Sequence, residues 1–177
     1  MCKKSIEKAI KFIEKNAKYN DFMKYVPTFE HEGITYCLDG YQMLRTLEEI
    51  DESFFVDVKN ETRQVLSEES CERFFDEKYL DNCEAYEMPD VSELESKIKE
   101  LKKECRPKRN VSVGYAIADN MFFNAEYLLN ALKSTEESVA YSAGRYQPLM
   151  FLGADTQYVL LPIRNDDVKA GEFRVKY

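Results

Sequence analysis

Five lysines near the start of the chain recur at the spacing of one helical face. They are Lys4, Lys8, Lys11, Lys15 and Lys18. Residues three and four apart lie one above another on an α-helix, so these side chains would form a single basic stripe. Lysine ammonium groups in a row are suited to binding anions. A solvated face that keeps an amphipathic helix soluble has the same pattern, so both interpretations stay open.

A second feature is an apolar run that ends abruptly. The run YVLL, residues 158–161, is followed directly by Pro162, Ile163 and Arg164. A proline cannot donate to a strand ladder, so it is tolerated only at an edge, an end or a bulge. The sequence therefore predicts a buried strand that stops at this proline.

Residue combinations typical of enzymes are missing. There is no glycine-rich phosphate loop and no GxSxG motif, and His31 is the single histidine. We expect His31 to lie at a strand turn rather than to accept protons. The five cysteines form no CxxC pair, a pattern that argues against an ordinary zinc site. The sequence predicts a protein that is not an enzyme and has no metal or cofactor.

Composition places the chain among globular proteins. It has 177 residues, is 44% hydrophobic and contains 11 Phe and 12 Tyr, enough for one domain with a real core. No stretch reaches the length of a membrane span or of a signal-peptide core, so we expect a cytoplasmic protein without a membrane partner. The net charge is −8, and residues 26–95 hold 20 acidic against 5 basic residues. Any contact with nucleic acid must therefore be local.

The hydrophobic pattern predicts the elements that position these residues. An amphipathic helix is expected over Ser5–Ala17, followed by strands around a turn at Asp39-Gly40. An acidic, largely helical insertion is expected over about 50–105, with a strand at 52–58 and helices at 62–82 and 90–104. Beyond it we expect a strand, a helix capped by Asn124 and three more strands. Residues 166–177 form a C-terminal extension and a possible edge strand.

These elements predict an α+β fold in a single domain, residues 1–177. The order is interpreted as two strand–helix–three-strand units, with antiparallel sheets and the helices on one face. The two halves share no sequence repeat, so this duplication depends on element order alone.

The second half resembles a known family. The residues that carry the resemblance are Phe123-Asn124, Tyr127-Leu128-Leu129, Ala131-Leu132, Pro148-Leu149-Met150 and Leu161-Pro162-Ile163-Arg164. In this order they are similar to the C-terminal domain of the bacterial DNA polymerase III β subunit, the sliding clamp. Asp39-Gly40-Tyr41 also resembles a hairpin of that family, although Leu38 and Gln42-Met43 depart from its pattern. The resemblance implies a DNA-clamp-like domain with a foreign insertion.

The resemblance also implies a site for protein partners. In the family, the strand that ends in Pro-x-Arg lines a groove for extended peptides of polymerases and other clamp users. Carried over, this assigns peptide binding to Leu161, Pro162, Ile163 and Arg164. The expected partners are replication proteins or their clamp-binding peptides. The tail after Arg164 could fold back into this groove.

The family further suggests a role for the lysine stripe. Sliding clamps line their central hole with helices whose basic residues contact DNA phosphates without reading sequence. Lys4, Lys8, Lys11, Lys15 and Lys18 fit that role, which gives an alternative function as a binder of duplex DNA. A second alternative is an interaction scaffold with neither activity. One such domain cannot close a ring by itself.

Overall fold

The computed structural model describes residues 3–20, 24–55, 63–105, 111–118, 121–164 and 169–176. The helices are α1 (Lys3–Ala17), α2 (Glu68–Glu72), α3 (Glu77–Leu80), α4 (Val91–Glu104) and α5 (Ala125–Thr135), with a 3₁₀ turn at Glu52–Phe54. The first strands are β1 (Thr28–His31), β2 (Ile34–Leu38), β3 (Gln42–Thr46), β4 (Glu84–Glu87) and β5 (Ser112–Ala118). The others are β6 (Met121–Asn124), β7 (Val139–Ser142), β8 (Leu149–Leu152), β9 (Thr156–Leu160) and β10 (Phe173–Lys176).

Two antiparallel meanders join to form the large sheet. Its strand order is β1-β2-β3-β9-β8-β7-β4. Each meander follows a helix, β1–β3 after α1 and β7–β9 after α5. The meanders meet where β3 pairs with β9, from Gln42 opposite Leu160 to Thr46 opposite Thr156. In the second half two strands, β5 and β6, precede α5 and its three strands, whereas among the described residues no strand precedes α1.

Both faces of the large sheet are buried. Along β2, Cys37 belongs to the core that contains the apolar residues of α1 and α5, whereas Tyr36 and Leu38 belong to a second core. Cys71 of α2 and the nearby Phe74 pack into that second core. The helices expected in the two units, α1 and α5, lie on one face, whereas α2 and α3 of the insertion cover the other. The nearly continuous apolar sequence of β2, ITYCL, is typical of strands covered on both faces.

Three helices form the layer on the first face. α1 packs on β2 and β3, while α5 packs on β8 and β9 and contacts both α1 and α4. The apolar stripe of α1 is buried as the sequence predicts: Ile6, Ala9, Ile10, Ile13 and Ala17. The side chains of Asn124 and Asp90 cap α5 and α4 by accepting hydrogen bonds from backbone N–H groups of the first helical turn.

The segment between β3 and β5 wraps around one edge of the large sheet. Its α2 and α3 cover the second core, and β4 then pairs antiparallel with β7 at the sheet edge. The chain continues into α4, whose Leu94 and Ile98 are buried in the first core. The insertion therefore contacts both faces and one edge of the sheet.

A smaller sheet completes the fold. Its order is β10-β5-β6, so the C-terminal strand β10 lies at the edge away from β6. Close packing joins its strands: a side chain on Gly114 of β5 would collide with the ring of Phe122 on β6. None of the helices within the described ranges has the length and apolar character needed to cross a membrane.

Candidate functional site

The segment after β9 connects the two sheets. The backbone N–H of Leu161 donates to the carbonyl oxygen of Tyr41 at 2.8 Å, before β3 of the large sheet. The N–H of Ile163 donates to the carbonyl oxygen of Phe122 at 2.7 Å, on β6 of the small sheet. Pro162 lies between these two donors, at a position where the local hydrogen bonds need no N–H. This arrangement explains why the apolar strand runs into a proline.

A pocket of about 280 Å³ opens beside this segment, and we call it the groove pocket. Its lining residues are Tyr41, Asn124, Tyr127, Leu161, Pro162 and Ile163. Three of the four predicted groove residues therefore line one pocket. Arg164 is exposed and follows directly in the chain, but it is not part of the lining.

The mouth of the groove pocket is apolar and accessible. Tyr41 is 54% exposed and Leu161 is 40% exposed. Most large apolar side chains of the described residues are buried, so two that are exposed side by side at a concavity indicate a contact surface.

A buried carboxylate fixes the turn that presents Tyr41. Asp39 is 1% exposed, and its Oδ1 accepts from the backbone N–H of Tyr41 at 2.8 Å and of Gln42 at 3.1 Å. Its Oδ2 accepts from Nε2 of Gln42 at 2.6 Å. Gly40 completes the turn at a φ of 91°, in the region that favours glycine. Burial raises the pKa of Asp39, although these hydrogen bonds oppose the shift.

The polar network continues from this turn into the second half of the chain. The hydroxyl of Tyr158 on β9 donates to Oε1 of Gln42 and accepts from Nδ2 of Asn130 on α5 at 2.8 Å. Burial also raises the pKa of Tyr127, whose ring lines the groove pocket. The pocket therefore rests on hydrogen bonds that join β3, β9 and α5.

The predicted DNA-binding lysines lie on the open side of α1. Four of them are on the helix, and Lys18 lies one residue beyond its last residue, Ala17. All five side chains are exposed. Lys11 places its Nζ 5.5 Å from the ring centroid of Phe54, a cation–π contact. Lys8 lines a crevice between α1, α4 and α5.

The charged residues of α5 have a different environment. Glu126 pairs with Lys102 of α4, and Lys133 pairs with Glu95 of α4 at 2.9 Å. Hydrogen bonds from Lys99 and Lys133 lower the pKa of Glu95 to about 2. α4 thus neutralises the outer face of α5.

The described residues bring together no group of three His, Cys, Asp or Glu side chains that could hold a metal ion. His31 is half-buried, with Nε2 2.7 Å from the carbonyl oxygen of Leu66 and its ring against Phe29 and Tyr36. These contacts hold the residue 66 segment against β1. The contacts of His31 are therefore those of a side chain that packs one segment of the fold against another.

Solved structures with a similar fold belong to bacterial sliding clamps. The DNA polymerase III β subunit of Thermotoga maritima aligns with a TM-score of 0.50 and 11% identity over 93% of this chain. The fold is clamp-like. The C. crescentus β sliding clamp also aligns over 93% of this chain, with 12% identity and a TM-score of 0.44. This chain covers 65% and 64% of those two chains. No protein-family model and no curated protein matches the sequence.

The clamp-like fold agrees with the resemblance seen in the sequence, whereas the lining of the groove pocket was only partly predicted. Tyr41 and Tyr127 were not expected to face Leu161 and Pro162. They come together because β3 pairs with β9 and because α5 packs on β9. Whether the tail fills the groove was left open by the sequence; Phe173–Lys176 pair with β5, and no residue within 169–176 lines the groove pocket.

Proposed function

We propose that this chain is a non-enzymatic, sliding-clamp-like module that binds an extended peptide of a replication protein in the groove pocket. One observation carries the proposal: Tyr41 and Leu161 are exposed at the mouth of a pocket whose wall is formed by Pro162 and Ile163. The clamp-like fold supports the class of function but does not supply the partner.

An extended peptide suits this pocket for two reasons. The opening is lined by aromatic and aliphatic side chains, so the burial of one or two apolar residues of a partner there is favourable. The exposed Arg164 at the end of the segment can then bind a carboxylate or a carbonyl oxygen of the same peptide. Peptides of this type gain affinity from a few anchor residues rather than from a large interface.

The test uses a displayed library of short random linear peptides selected on the full chain. The decisive variant is Leu161→Asp, and its matched control is Leu47→Asp, which changes another exposed leucine, one that does not line the groove pocket. We expect selected peptides to bind the control as they bind the unmodified chain, and Leu161→Asp to weaken binding by about tenfold or more.

A milder double variant, Pro162→Ala with Arg164→Ala, tests the same segment without adding a charge to the pocket. Circular dichroism and thermal unfolding establish that each variant is folded. Selected peptides that bind all of these variants equally well would show that the groove pocket is not a peptide site.

Duplex DNA binding by α1 is the second candidate function. It is favoured by the exposure of Lys4, Lys8, Lys11, Lys15 and Lys18 on one side of the fold. Each phosphate contact releases a counterion, so affinity would fall steeply as salt rises. Binding would be independent of sequence, since phosphates carry no base information.

Fluorescence anisotropy with a labelled duplex across a salt series tests this candidate. The variant changes Lys4, Lys8, Lys11 and Lys15 to Gln. The matched control changes four lysines of α4 to Gln: Lys97, Lys99, Lys102 and Lys103. A reduced salt slope in the α1 variant alone assigns DNA binding to the stripe, whereas no binding at low salt excludes it. Absence of both activities would leave the interaction scaffold as the remaining interpretation.

A further inference from the structure

The crevice between α1, α4 and α5 is a second concave surface, and we call it the three-helix crevice. Its volume is about 380 Å³. Among the described residues, none lines both this crevice and the groove pocket. One wall is α4, so the crevice is formed where the insertion packs beside α5.

The three-helix crevice follows two antiparallel helices. Lys102 of α4 pairs with Glu126 in the first turn of α5, and Glu95 of α4 pairs with Lys133 in the last turn of α5. The lining residues of α4 extend from 95 to 102 and those of α5 from 126 to 133. Each range covers about two helical turns, or about 10 Å. The crevice is therefore elongated along the helices.

Apolar side chains lie between the charged ones of this crevice. Phe12, Ile98 and Leu129 are part of its lining, and Phe12 and Leu129 are only half-buried. The ring of Phe12 is held by an edge-on contact with Tyr127, with the two ring centroids 5.8 Å apart. A partner that covered these side chains would remove apolar surface from water, which is favourable.

Basic residues exceed acidic residues in the lining. The charged residues are Lys8, Lys99, Lys102, Lys133, Glu95 and Glu126, which leaves two positive charges in excess. Glu95 binds both Lys99 and Lys133, and Glu126 binds Lys102. Lys8 is exposed and takes part in none of the ion pairs of the described part of the chain. The charge of the crevice therefore favours an acidic partner.

The walls of the crevice favour a partner segment that is helical. The backbone N–H and C=O groups of α1, α4 and α5 pair within each helix, so the middle of a helical wall offers no hydrogen bonds to an extended peptide. A helix satisfies its own backbone groups and can place an apolar stripe between two other helices.

Duplex DNA matches the three-helix crevice less well. Its phosphates gain nothing from contact with Phe12 or Leu129, and the carboxylates of Glu95 and Glu126 repel them. The combination of an apolar floor and a basic rim instead matches a polypeptide with one apolar and one acidic side.

We propose that the three-helix crevice binds an amphipathic helix of another protein, whose apolar stripe covers Phe12, Ile98 and Leu129 and whose acidic flank faces Lys8. A length of two turns predicts apolar anchor residues at positions i, i+3 or i+4, and i+7 of the partner helix. This site goes beyond the proposed function, because it requires no peptide in the groove pocket.

A displayed library of amphipathic helical peptides tests the site on the full chain. Its apolar positions hold Leu, Ile, Met or Phe, and its flanking positions are randomised among acidic, basic and neutral polar residues. We expect the enriched peptides to carry Asp or Glu beside the apolar stripe. No enrichment, or enriched peptides with neutral or basic flanks, would overturn the inference.

Lys8→Glu tests the charge of the rim by fluorescence polarisation with one enriched peptide. The variant should weaken binding about fivefold at low salt, because an attraction becomes a repulsion. The matched control is Lys15→Glu, which changes an exposed lysine of the same helix that does not line the crevice. Equal losses in the two variants would mean that the peptide is attracted to the lysine stripe as a whole, which would overturn the inference.

Leu129→Asn tests the apolar floor by replacing a half-buried leucine with a polar residue of similar shape. It should weaken binding about tenfold or more. The matched control is Leu101→Asn, at a half-buried leucine of α4 outside the lining, and circular dichroism establishes that both variants are folded. Leu161→Asp in the groove pocket should leave this binding unchanged. If Leu129→Asn has no effect, or if Leu161→Asp abolishes binding, the peptide binds elsewhere and the inference fails.

Discussion

The two halves of the molecule have similar arrangements of a helix on three strands, but the outer faces of the two helices differ in exposure and charge. In each half a helix packs on a three-stranded meander, α1 on β1–β3 and α5 on β7–β9. The outer face of α1 is open and carries the lysine stripe. The outer face of α5 meets α4, and its two charged residues form ion pairs there.

This difference shows how an insertion changes the exposure and charge of one of two similarly packed helices. α4 neutralises the charged residues of α5 by ion pairs, whereas no such pair involves the lysines of α1 among the described residues. Four substitutions test this difference between the halves, in order of decreasing expected effect on stability.

Leu94→Ala should have the largest effect, because Leu94 anchors α4 in the first core and is fully buried. Removal of such a side chain lowers the free energy of unfolding by about 2–5 kcal/mol. Urea unfolding provides the measurement. Ser96→Ala on the exposed side of α4 is the control and should stay within about 0.5 kcal/mol of the unmodified chain. Equal effects of the two changes would mean that α4 is not part of this core.

Tyr158→Phe breaks the polar connection between the halves. It leaves Gln42 of β3 without its donor and Asn130 of α5 without its acceptor. Buried polar groups that lose a partner cost about 1–3 kcal/mol, so we expect a loss in that range by urea unfolding. Tyr19→Phe, at a tyrosine that is 78% exposed, serves as the control. If the free energy of unfolding falls no more than in the control, this hydrogen-bond network does not stabilise the contact between the halves.

Asp39→Asn tests the turn beneath Tyr41 through its pH dependence. Because burial raises the pKa of Asp39 in the fold, its contribution to stability is greatest below its ordinary value of 3.8. That contribution is lost as pH rises through the raised pKa, since only the unfolded chain then ionises freely. Relative to Asp39→Asn, the unmodified chain should therefore become less stable from pH 3 towards pH 7.

The measurement is urea unfolding of both proteins at each pH. Asp81→Asn, which changes an exposed carboxylate of the insertion, is measured alongside as the control substitution. If the unmodified chain instead became more stable relative to Asp39→Asn as the pH rises, the pKa of Asp39 would not be raised in the fold.

Glu95→Gln should have the smallest effect, because the ion pairs between α4 and α5 are exposed to solvent. The pKa of Glu95 is lowered to about 2 by Lys99 and Lys133. Its contribution is therefore present above its ordinary pKa of 4.5 and is lost as pH falls towards 2. Thermal unfolding at pH 7 should show a slightly lower Tm for the variant, and at pH 2 the two Tm values should converge. A gap that widens on acidification would refute this.

Local signals in the sequence predicted the helices well. The apolar stripe predicted a helix over Ser5–Ala17, and α1 spans Lys3–Ala17. Asn124 and Asp90 are helix caps as expected. Stripes and caps act within one helical turn, so a single sequence contains the information that places them.

The insertion was predicted less well. The strand expected at 52–58 begins as the 3₁₀ turn Glu52–Phe54, which Asp51 caps, and residues 56–58 lie outside the described residues. The helix expected at 62–82 is divided into α2 and α3, because Asp76 accepts from the N–H of Lys78 at 2.8 Å and starts a new helix. Acidic residues are common throughout this segment, so its capping residues were not distinguished from solvated ones.

Long-range pairing placed the site and was not visible in the sequence. Leu161, Pro162 and Ile163 were identified through the family resemblance, but Tyr41 and Tyr127 join them only because distant strands pair. β4 was also missed, since its sequence EAYE lacks an apolar face and depends on β7 for its conformation. Contacts between residues far apart in the chain need the tertiary structure.

The position of β4 has a consequence for assembly. This short strand lies at the end of the large sheet and exposes Glu84 and Glu87. If a second copy added its own β4 there in antiparallel register, carboxylates of the two copies would face each other, which destabilises strand pairing. The strand β4, which belongs to the insertion, therefore disfavours extension of the sheet from one molecule into the next. A ring of several copies would have to be closed through other surfaces.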